Sequence, residues 1–92
     1  MPLRLDRGIE KAVRILQANG VETFESCEGG KGHAYPEPTI RFHGGHAEGY
    51  RVVTIALHHG LQVSSLRRTW DCLYGGELTG PVWELILSRF SV

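Results

Sequence analysis

The sequence predicts an α+β fold in the order αββαββ: one four-stranded, mainly antiparallel sheet with both helices packed on one face. Three observations carry this. Two segments repeat apolar residues at helical spacing, and each ends on a glycine. Three segments alternate apolar and polar residues as half-buried strands do, and a fourth is apolar on both faces as a covered strand is. The two halves also echo each other, since Ile15–Val21 resembles Ile55–Leu61 at an offset of 40 residues. A chain of 92 residues with 41% hydrophobic content suits one small globular domain over 1–92.

Asp6 is placed to cap the first helix, because its carboxylate can accept from the free amides of the first turn. Ile9, Ala12, Val13 and Leu16 then form an apolar stripe, and Asn19-Gly20 closes a helix over about residues 6–19. Val21 to Cys27 reads as a strand, with Phe24 on one face and Thr23, Glu25 and Cys27 on the other. A glycine turn follows, then Pro36 and Pro38, which exclude helix and stiffen the connection. Thr39 to His43 is a second strand, with Ile40 and Phe42 on one face and Thr39, Arg41 and His43 on the other.

Gly44-Gly45 breaks that strand, and His46 starts a second helix with Tyr50, Val53, Ala56 and Leu57 as its apolar stripe. His58-His59-Gly60 closes it. A long alternation follows, with Leu66, Trp70, Cys72 and Tyr74 on one face and Arg67, Thr69 and Asp71 on the other. Gly75-Gly76 signals a two-residue hairpin that would pair Tyr74 with Glu77 and set Arg68 opposite Trp83. Stacking on that indole accommodates the only charged residue on the strand's apolar face. The last strand, about 77–88, is apolar on both faces. Its Val82 and Ile86 call for a cover, and a homodimer through this strand or through the sheet face would supply one.

Equal numbers of acidic and basic residues, ten of each, argue against a phosphate-backbone binder. Arg67-Arg68 with Trp70, and Arg41 with Phe42, do interleave basic and aromatic residues as a single-strand platform would. Nucleic-acid binding nevertheless ranks last, since Phe42 and Trp70 are expected to be buried. Residues 1–6 lack the apolar core of a signal peptide, and no apolar run reaches membrane-spanning length. Two cysteines are too few for a disulfide scaffold. The expectation is a cytoplasmic protein with two free thiols and no membrane contact.

The densest chemistry lies in Glu25-Ser26-Cys27-Glu28-Gly29-Gly30-Lys31-Gly32-His33. If Phe24, Ile40, Phe42, Leu66 and Trp70 face the helices, then Glu25, Cys27, Arg41, His43, Arg67 and Asp71 share the opposite face. Three chemistries compete there. The turn can present the amides of Gly29 and Gly30 as an anion nest beside Arg41 and Arg67. Cys27 can act as a nucleophile with His33 or His43 as base and Glu25 orienting the imidazole. Cys27, His33, His43 and His46 are ligand types suited to zinc, although their spacing matches no finger pattern, so no cofactor is assigned. The reading is a domain that binds a small ligand, an anion or a protein partner around Cys27, Gly29, Gly30, His33, Arg41, His43 and Arg67. The alternative is a thiol- or metal-dependent enzyme built on Cys27 with His33 or His43.

The run Ser26-Cys27-Glu28-Gly29-Gly30-x-Gly32-His33, followed by Pro36-Glu37-Pro38-Thr39-Ile40-Arg41-Phe42-His43-Gly44, resembles a family of short bacterial and phage-associated proteins of uncharacterised function. Gly60-Leu61-x-Val63-Ser64-Ser65-Leu66-Arg67-Arg68 and Gly80-Pro81-Val82-Trp83-Glu84 extend the resemblance over nearly the whole chain. It implies a stand-alone domain and no particular activity. A strand ending in Ser-Cys before a glycine turn is also similar to RNA-modifying enzymes of wybutosine synthesis. That likeness spans a few residues and carries no catalytic residue across.

Overall fold

The computed structural model describes residues 7–32 and 34–88. The elements run α1 (Arg7–Ala18), β1 (Thr23–Cys27), β2 (Thr39–Phe42), α2 (His46–His58), β3 (Val63–Cys72) and β4 (Leu78–Leu87). The four strands form one antiparallel sheet in the order β1-β2-β4-β3. This is the predicted αββαββ arrangement. The cap expected at Asp6 lies outside the described residues.

One face of the sheet and both helices share the core. Ile9, Ala12, Val13 and Leu16 of α1 meet Val52 and Ala56 of α2 over Ile40, Phe42, Trp83, Leu85 and Leu87. The stripe of α2 differs from the expected one. Its buried residues are Gly49, Val52 and Ala56, while Tyr50 and Leu57 are exposed. Trp83 explains the rotation. A Cβ on Gly49 would lie 2.7 Å from its ring, so the helix presents its smallest residue to the largest one beneath it. The indole N–H donates to the Gly45 carbonyl at 2.9 Å, which fixes the start of α2 over β4.

The echo between the halves is structural. Val21 N–H donates to the Leu16 carbonyl and Leu61 N–H to the Ala56 carbonyl, each at the same place in its helix end. Gly20 and Gly60 both have φ of 80°, the left-handed conformation that such a closure requires. Each following strand then carries one extra residue. Thr23 pairs with Phe42 and Glu25 with Arg41, leaving Phe24 over. Val63 pairs with Leu87 and Ser65 with Ile86, leaving Ser64 over.

These bulges correct the predicted parity of β1. Thr23 turns toward the helices, where its hydroxyl oxygen accepts from Gln17 Nε2 at 2.9 Å. Phe24 turns away from them and is 45% exposed. The tip of the β3–β4 hairpin also differs. Leu73 N–H bonds the Glu77 carbonyl at 2.7 Å, so the loop is the three residues Tyr74-Gly75-Gly76 rather than two. Arg68 still sits opposite Trp83, because β4 carries an extra residue at Gly80-Pro81 that restores the register. Its guanidinium carbon lies 4.9 Å from the indole centroid.

Trp70, expected in the core, is 53% exposed. β2 pairs only with Trp83–Ile86 of β4, so the hairpin beyond them is two-stranded, and Trp70 faces glycine and proline across it. Val82 and Ile86 are buried within the single chain, so the apolar character of β4 does not by itself require a second molecule. No described helix is long and apolar enough to cross a membrane.

Candidate functional site

The sheet face away from the helices is organised by one guanidinium. Arg41 sits on β2 with Glu25 opposite it on β1 and Glu84 opposite it on β4, and Arg67 lies beyond Glu84 on β3. Successive strands therefore set acid and base in alternation across the sheet. Arg41 donates to Glu25 Oε1 at 2.9 Å and to Asp71 Oδ2 at 3.0 Å. Its Nε lies 3.3 Å from Glu84 Oε2, close enough for charge attraction but without hydrogen-bond alignment. The side chain of Arg41 is only 11% exposed. Burial disfavours the charged guanidinium, but hydrogen bonds to Glu25 and Asp71 outweigh that and push its pKa upward.

An aromatic rim borders this cluster. Phe24, displaced by the bulge, stacks on His43 with ring centroids 4.3 Å apart. The guanidinium carbon of Arg41 also lies over the Phe24 ring, 5.2 Å from its centroid. Tyr35 approaches from the loop before β2. Its phenol is raised above the ordinary value, first by burial and next by the Glu25 carboxylate, with Arg41 pulling the other way. Tyr35, Thr39, Arg67, Glu84 and Ile86 border a cavity of about 40 Å³. That admits a water or two, and ligand pockets are roughly tenfold larger.

Cys27 and Arg41 lie on the same side of the sheet, as the predicted parity required. Among the described residues, the chemistry expected of the turn does not assemble there. Cys27 is 5% exposed, and its sulfur accepts the Gly29 N–H at 3.4 Å. Gly30 N–H is used on the Pro36 carbonyl at 3.0 Å. Both amides proposed for an anion nest are therefore engaged inside the loop. Gly29 packs so tightly on the Glu37–Pro38 backbone that a Cβ would come within 2.4 Å of it. The turn serves to fold the proline segment onto the sheet.

His43 stands four residues along β2 from Thr39, the partner of Cys27. That separates imidazole and thiol by about 13 Å, too far for a base and its nucleophile. His33 lies outside the described residues. His46 is exposed at the start of α2. Among the described residues, no three His, Cys, Asp or Glu side chains are grouped to hold a metal ion. Arg67 is exposed at the border of the small cavity.

Three members of the cluster, Phe24, Tyr35 and Glu84, are not among the residues that the sequence pattern assigns to this face. Glu84 was within reach, because setting Arg68 opposite Trp83 also sets Arg67 opposite Glu84. The repeat held the signal for Phe24, since its counterpart in the second half is Ser64, a residue that suits solvent. No family model, curated protein or solved structure matches this chain.

Proposed function

We propose that this chain is a binding module for a protein partner, engaged on the sheet face around Arg41. The observation that carries the reading is the Phe24–His43 stack set against a guanidinium already fixed by carboxylates from three strands. Aromatic and arginine side chains held rigid in the free protein are the groups that lose least entropy on association. The shallow relief of the face favours a macromolecular segment over a metabolite. Arg41 is neutralised by its neighbours, which removes the central positive charge from the anion-binding form of the reading. The two free cysteines fit the reducing compartment expected for the protein.

A photo-crosslinking residue at His43 tests this in cells that express the protein, with the same residue at Lys11 on the surface of α1 as control. A discrete adduct with a second protein should form from position 43 and disappear with Phe24→Ala. No adduct, or the same adducts from position 11, would overturn the reading.

A further inference from the structure

We infer that β3 is a homodimer interface, pairing edge to edge with β3 of a second copy around Thr69. This goes beyond the surface proposed above and uses the outer edge of the sheet, where Arg67 and Asp71 border that surface.

β3 is one of the two outer strands, and it spans ten residues where the other, β1, spans five. A long unpaired edge presents a row of free amides and carbonyls, and natural proteins commonly interrupt such an edge with a bulge or proline. In β3 the interruptions lie elsewhere. Its one extra residue is Ser64, near its start, and the irregularity opposite Trp70 falls on β4 at Gly80-Pro81. Residues 65–72 therefore alternate without a break.

Along this edge one register pairs opposite charges. Residues directly opposite in an antiparallel pair share a face, so a two-fold arrangement centres on a residue. Centring on Arg67 or Arg68 would set like guanidiniums against each other. Centring on Thr69 sets Arg67 opposite Asp71 of the second copy, twice over, on the face that carries Arg41. It also sets Arg68 opposite Trp70 of the second copy on the other face. Arg68 already stacks on Trp83 at 4.9 Å, and its Nε is buried without a hydrogen-bond partner. An indole from the second copy would complete a sandwich around that guanidinium. Trp70, 53% exposed in the single chain, would gain its cover at the same time. Asp71 gives Arg41 one oxygen, Oδ2, and its side chain is 57% exposed, which leaves the carboxylate accessible to Arg67 of the second copy. The outcome is a continuous eight-stranded sheet with both Arg41 clusters on one face.

The test uses single cysteines in the full chain with Cys72→Ser, Cys27 being buried. Thr69→Cys would bring two Cα atoms to about 4.5–5.5 Å across the two-fold, within disulfide range. Ser65→Cys would hold its pair about 26 Å apart. Mild oxidation should convert Thr69→Cys to a covalent dimer and leave Ser65→Cys monomeric. In the otherwise unaltered protein, Arg67→Glu should weaken the dimer at least about tenfold by sedimentation, since it places two acidic pairs opposite each other. A monomer at about 100 µM, equal crosslinking at both positions, or a dimer indifferent to Arg67→Glu would each overturn the assignment. Circular dichroism identifies any variant that has lost its fold, and if a cysteine variant has, the sedimentation comparison on Arg67→Glu decides the assignment.

Discussion

Replacing Arg41 with methionine keeps most of the side-chain volume and removes the charge at the centre of the polar face. The cost can be worked from exposure. Glu25 and Asp71 are 42% and 57% exposed at the side chain, so losing either pair costs little, about 0.2–1 kcal/mol each. Glu84 is different, with a side chain only 14% exposed. Stranding a buried charge costs about 3–5 kcal/mol, and Glu84 should fall below that range because it retains some solvent and has Arg67 as cross-strand neighbour. A total near 2–3 kcal/mol follows, a large part of the ~5–15 kcal/mol that holds a domain together. Urea unfolding followed by tryptophan emission measures it, Trp83 being buried. The decisive comparison is Arg41→Met with Arg41→Met/Glu84→Met. These residues pair directly across β2 and β4, so the double variant removes the stranded carboxylate and should recover about 1–2 kcal/mol. A double variant no more stable than the single one would refute the view that an unpaired Glu84 is the source of the loss.

Two further outcomes follow from burial. Cys72 is exposed and Cys27 buried, so alkylation of the native protein should modify one thiol quickly and the second on the order of 100-fold more slowly, after local opening; two equally fast thiols would contradict the packing of the glycine turn. Tyr35 is raised above 10.0, so folding favours its neutral phenol. Its contribution to stability is complete below pH 10.0 and is lost as pH climbs through the raised value. The difference between ultraviolet titrations of the protein and of Tyr35→Phe should therefore be one phenolate forming late, and a difference centred at or below 10.0 would contradict its placement.

The architecture was legible because its signals are local and redundant. Apolar spacing gave both helices, glycine closed each of them, and the pairing of Arg68 with Trp83 survived an incorrect turn length because an irregularity at Gly80-Pro81 offset it. Side-chain direction was less legible wherever the backbone departs from strict alternation. A bulge reverses every face assignment on one side of itself, and neither Phe24 nor Ser64 marks its bulge in composition. Exposure of Tyr50, Leu57 and Trp70 also escaped periodicity, because it depends on where the opposing layer ends. The candidate site divided along the same line. Glu25, Arg41, Arg67 and Asp71 gathered on one face as parity required. Burial of Cys27 and the engagement of the Gly29 and Gly30 amides within the loop were not legible, because such packing and bonds have no sequence signature.

The surplus residue in each half points to how such a surface can arise. Its side chain is excused from the alternation that binds its neighbours, so it answers neither to the core nor to a cross-strand partner. In one half that position holds serine and in the other phenylalanine, at matching places in two otherwise parallel backbones. A repeated framework can thus carry an unconstrained position twice, with an aromatic ring at one occurrence and a small hydroxyl at the other.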